Sequence, residues 1–119
     1  MNNEVLKVAG LMLGLDAIWL SINAGRYQSL VYNVQGSALK IRYTPAIIAY
    51  VMMLTSFFLF VRGLKHKKHG LMYAFMFGTI IYGIFNATNL AIFEKYSYTI
   101  AILDTLWGAC LYTLLLFLV

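Results

Sequence analysis

Charge is scarce in this chain. Of its 119 residues only 11% are charged while 62% are hydrophobic, which leaves too little polar cover for a water-soluble domain. There is one cysteine, Cys110, so neither a disulfide nor a cysteine-based metal site can form within a single chain. Also missing are a Gly-rich phosphate loop, a His-Glu-x-x-His pair, a nucleophile-base pair and a mid-span lysine for a Schiff base, Lys7 lying too near the end of an apolar run. No cofactor and no enzyme reaction are implied by the residues. His66 and His69 stand three apart in a basic connection with no third ligand near them, a pattern that reads as solvated loop histidines rather than a metal site.

What is present is apolar length. Four stretches, roughly residues 5–24, 45–62, 71–93 and 99–119, each approach the ~20 residues that cross about 30 Å of hydrocarbon. Only helices satisfy their own backbone groups there. The expected fold is therefore all-α, a polytopic membrane four-helix bundle forming one transmembrane domain over residues 1–119. The first run lacks a small-residue cleavage pattern and contains Asp16, Trp19 and Asn23, so it reads as a retained span rather than a signal peptide.

The net charge is +5, with the basic residues at the ends of spans. Membrane lipids rather than nucleic acid are the expected partners. Arg62, Lys65, Lys67 and Lys68 crowd one short connection, which the positive-inside rule places in the cytoplasm together with both termini. Arg26, Lys40 and Arg42 in the first connection pull the other way. Pro45 fits the first turn of the second span with Thr44 as its cap. The "EKYSY" segment makes the last two spans a tight hairpin. The first connection is longer and semi-apolar, reading either as an interfacial helix or as an ordered loop. Its Tyr27, Tyr32 and Tyr43 join Tyr96 and Tyr98 in an aromatic belt on one side.

At about 100° per residue the first helix has two faces. Gly10, Gly14, Ala17 and Ser21 form a small-residue stripe, and Asp16, Trp19 and Asn23 lie nearly opposite. Packing on both faces is expected, the Gly10-x-x-x-Gly14 side either inside the bundle or against a second copy.

The polar residues inside the spans carry the functional reading. Leu15-Asp16-x-x-Trp19 recurs as Leu103-Asp104-x-x-Trp107, on helices that run in opposite directions, as though related by a two-fold axis in the membrane plane. Tyr82, Asn86 and Asn89 make one polar face of the third span, beside Gly78. Asp104, Trp107, Gly108 and Leu111 do the same on the fourth. A lipid-facing aspartate costs several kcal/mol. Both acids should therefore turn inward, toward amides and indoles, in one cluster open to the tyrosine-rich side. The sharp reading is a site for a cation, a proton or a small polar solute in a transporter or channel, oligomeric because four helices leave little room for a pore. The alternatives are a lipid-headgroup binding protein or lipid-modifying enzyme, and an accessory membrane subunit in which the cluster is polar glue.

At these residues the chain resembles the domain of unknown function 2177 family of small four-helix membrane proteins. The likeness runs through Asp16-x-x-Trp19-Leu20, the "YGIFNATNLA" stretch from Tyr82 to Ala91, and Asp104-x-x-Trp107-Gly108. Where that family usually has Tyr-Asp-x-Thr-Asn, this chain reads Phe85-Asn86-Ala87-Thr88-Asn89, an amide in place of an acid. The resemblance implies four helices and a central part for the cluster. It implies no reaction.

Overall fold

The structure is a computed structural model and describes residues 3–119. Five helices follow one another: α1 (Asn3–Ile22), α2 (Ala24–Gln35), α3 (Tyr43–Ser56), α4 (Gly70–Ile92) and α5 (Tyr98–Leu118). α3 runs on through a π turn at Phe57–Val61 and a 3-10 turn at Arg62–His66. Counting that extension, four helices are long and apolar enough to cross a membrane. Large apolar side chains such as Ile22, Leu59 and Phe117 point outward around the bundle, as lipid-facing residues do.

α5 is the centre of the bundle. Its Leu111, Tyr112, Leu115 and Leu116 are buried with Val8 and Met12 of α1, Phe57 and Val61 of the π turn, and Ala74 of α4. Two glycines set how closely α4 and α5 approach. A Cβ on Gly78 would stand 2.3 Å from the Gly108 carbonyl oxygen, and one on Gly108 would stand 2.1 Å from Cγ of Tyr82. In lipid, where apolar burial does not drive helices together, such backbone contact is a main source of cohesion.

One end of the bundle is tied by charge. Arg62 donates to Glu4 at 2.5 and 3.2 Å, joining the start of α1 to the end of α3. The Lys65 ammonium donates to the Leu116 and Phe117 carbonyls, both at 2.9 Å, covering the open carbonyls at the end of α5. The start of α1, the end of the α3 extension and the end of α5 thus gather beside the basic connection. At the opposite end the helices spread. The Tyr43–Ser56 part of α3 buries none of its residues, while Phe57 and Val61, one π turn later, are fully buried. The wider turn re-phases the helix, so its two parts present different faces to the bundle.

The first connection is helical. α1 breaks at Asn23, whose amide donates to the Trp19 carbonyl at 3.0 Å while its oxygen accepts from Arg26 at 2.7 Å. α2 then turns over the tops of α4 and α5, buries Leu30 and ends at Gly36 with φ 77, the left-handed conformation that favours glycine at a helix C-terminus. α3 begins at Tyr43 after Arg42, so Thr44 is inside the helix rather than its cap. Pro45 remains in the first turn, where no N–H is needed.

Of the two placements expected for the small-residue stripe, the one inside the bundle is not taken. Gly10, Gly14, Ala17 and Ser21 are all exposed, and a Cβ added at Gly10 or Gly14 meets nothing within 4 Å. Periodicity finds a small face but not what covers it, and among the described residues nothing does.

The two kinds of glycine should respond oppositely to alanine. Gly78→Ala forces α4 away from α5 and should lower stability by about 1–3 kcal/mol, as overpacking does. Gly14→Ala should change it by no more than ~0.5 kcal/mol. Thermal unfolding of both variants in one detergent checks this, and equal losses would contradict the packing described.

Candidate carboxylate site

Each of the two acids is held by donors from other helices. Asp16, on the α1 face turned toward α5, is 8% exposed. Its Oδ1 accepts from the Trp107 indole at 2.9 Å, and its Oδ2 accepts from the Tyr50 hydroxyl of α3. Asp104 of α5 accepts from the Tyr27 hydroxyl at 2.6 Å and from the Asn86 amide at 2.8 Å. Asn86 is itself fixed from two sides. Its nitrogen also donates to the Tyr82 carbonyl at 2.9 Å, and its oxygen accepts from Tyr96 at 2.9 Å.

The two Asp-x-x-Trp segments cross. Trp19 and Trp107 stack with ring centroids 5.1 Å apart and planes within 1°. Trp107 bonds the aspartate of the other segment directly. Trp19 donates to the Tyr27 hydroxyl at 2.9 Å, and Tyr27 passes the bond on to Asp104. Burial first, and then the bond to Asp104, push the Tyr27 phenol above its ordinary value. It therefore stays protonated, and a donor, at physiological pH. Burial raises Tyr96 in the same way.

All four donors to the carboxylates are neutral. Among the described residues the ion pair is Glu4 with Arg62, at the far end, so neither aspartate has a cationic partner. A carboxylate can accept about four hydrogen bonds, and each of these accepts two. Both acids line one cleft of about 360 Å³ between α3 and α4, walled by side chains such as Ala49, Tyr50, Met53, Ile81 and Phe85. A second space of about 300 Å³ lies under α2, bounded by Leu30, Gln35, Asn89 and Tyr96. Tyr27, Phe85 and Asp104 border both.

Of the residues singled out in the sequence, Asp16, Trp19, Asn86, Asp104 and Trp107 meet in this network. Tyr82 lines the cleft with its ring over Gly108, its hydroxyl lying near the Met53 sulfur rather than an acid. Asn89 borders the space under α2. Asn23 serves the α1–α2 break instead. Sequence reasoning missed Tyr50 and read Tyr27 as part of an interfacial belt. The available signal was depth: Tyr50 sits less than two turns into α3, level with Asp16 on the antiparallel α1.

A family model described as predicted membrane protein (DUF2177) matches residues 3–118. The chain belongs to this family. No curated protein and no solved structure matches it. Family membership and the four apolar helices make it a multi-pass integral membrane protein.

Tyr27→Phe should remove the bond to Asp104 and strand the Trp19 indole. The expected destabilisation is about 1–3 kcal/mol. Since the chain has only two tryptophans, and these stack on each other, the same variant should shift the wavelength of tryptophan emission. An unchanged spectrum and midpoint of unfolding would contradict the Trp19–Tyr27–Asp104 relay.

Proposed function

We propose that this family member binds a monovalent cation or proton between Asp16 and Asp104 and carries it across the membrane. One observation supports this reading above the others: two carboxylates line an open cleft at membrane depth with only neutral donors around them. A structural pair needs no adjoining space and is cheapest when dry and closed. A site that exchanges a positive charge needs unspent acceptor capacity and a route to it. The basic connection supports an orientation with Arg62, Lys65, Lys67 and Lys68 on the cytoplasmic side, so the space under α2 faces outward.

Proteoliposomes loaded with a pH-sensitive dye, under a potassium diffusion potential, test the proposal. The wild-type protein should exceed empty vesicles. Asp16→Asn and Asp104→Asn, which keep side-chain shape and remove charge, should each lower the flux at least about tenfold, the effect of ~1.4 kcal/mol on a barrier or an affinity. Wild type and both variants moving charge at the same rate would sink the idea.

A further inference from the structure

The shape of the cleft says more about the cation than its charge does. An inorganic ion such as sodium or calcium replaces its water with a shell of oxygens, about six to eight for calcium. Beyond the two carboxylates, the tyrosine hydroxyls already bonded to them and the single Tyr82 hydroxyl beside the Met53 sulfur, the walls offer carbon and sulfur, from Ala46, Ala49, Met53, Ile81 and Phe85. Such walls suit the apolar body of an organic ligand. Its volume of about 360 Å³ falls within the range of small-molecule pockets, ~300–1,000 Å³.

The positive end of such a ligand also has a place. The rings of Trp19, Tyr50, Tyr82 and Phe85 line the same space as the acids. Aromatic faces attract an ammonium group, and more strongly where water is excluded. Access is lateral, because no residue of the Tyr43–Ser56 part of α3 is fully buried and the cleft lies between it and α4. A molecule with a hydrocarbon tail lying among the acyl chains can therefore slide its charged end to the carboxylates without dragging it through hydrocarbon unpaired.

We propose that the ligand of this site is an amphiphilic organic ammonium ion, with its nitrogen between Asp16 and Asp104 and its apolar body between α3 and α4. This rests on the cation-binding reading above and names the class of cation.

The test uses the full chain in nanodiscs of zwitterionic lipid, with decyltrimethylammonium as probe and tryptophan emission as readout, since both tryptophans lie at the site. A saturable change is expected with decyltrimethylammonium, and none with decyl sulfate at the same concentration in the membrane. Ala49→Phe, a change at an exposed position that fills the cleft and spares the acids, should weaken the response at least about tenfold. The Asp16→Asn, Asp104→Asn double variant should do the same. Circular dichroism establishes that each variant is folded, and Ala49→Phe keeps the test decisive if the double variant is not. Equal responses to both detergents, or an Ala49→Phe protein that responds like wild type, would overturn the proposal. The two readings separate cleanly. Carboxylate-dependent proton flux without a decyltrimethylammonium response rejects the organic cation and keeps transport. A carboxylate-dependent response without proton flux keeps the organic-cation site and rejects the proton as the ion carried.

Discussion

Hydrocarbon offers a carboxylate no hydrogen-bond donor, so an aspartate placed at membrane depth must draw its donors from other helices. Asp16 and Asp104 do so from every part of the fold: Trp107 of α5, Tyr50 of α3, Tyr27 of α2 and Asn86 of α4. With the acids themselves on α1 and α5, all five helices contribute to one network. The kink at Asn23 follows from this demand, since a straight α1 would carry Tyr27 past the bundle instead of back over Asp104. The stacked indoles follow as well, because each must reach beyond its own helix to find an acceptor.

The network divides the molecule into two unlike halves. Toward the basic connection, Val8, Met12, Phe57, Val61, Leu111 and Leu115 are all fully or almost fully buried. This is a dry core closed by the Arg62–Glu4 pair and by Lys65 over the end of α5. Toward the tyrosine-rich end the same helices separate around two spaces. Close packing in the first half lets the second half stay open. α4 and α5 are locked by Gly78 against Gly108, and α3 is anchored by Phe57 and Val61, so the loose upper part of α3 costs little cohesion.

Much of this was legible in the sequence, and the parts that were not share a cause. The spans could be read because apolar length is a property of the chain alone, and the inward turn of Asp16 and Asp104 because a lipid-facing acid is too costly. Asn86 could be placed beside them by depth. Tyr50 escaped notice because a tyrosine near the end of an apolar run looks the same whether it anchors an interface or bonds a buried acid. Helical phase put Gly10 and Gly14 on one face but could not say what lies against it, and inside the bundle the close approach is made by Gly78 and Gly108 instead. The π turn at Phe57–Val61 had no signal, since FFLFV fits an α-helix equally well.

The two halves of the Asp-x-x-Trp pattern look equivalent on paper, yet the structure makes them unequal, and the inequality has a direction. Trp107 reaches Asp16 directly, whereas Trp19 reaches Asp104 only through the Tyr27 hydroxyl. Tyr27 fills that gap because α2 folds over one end of the bundle and not the other. As a result Asp16 borders the lateral cleft alone, while Asp104 borders both the cleft and the space beneath α2. Under the proposed function a positive charge taken up from the membrane side meets both acids, but only Asp104 can pass it toward α2, and the Tyr27 hydroxyl must swing off Asp104 to let it go. A motif repeated in sequence thereby becomes two different positions in space, one bordering a single cleft and one bordering two spaces, and the helix inserted after the first copy is what separates them.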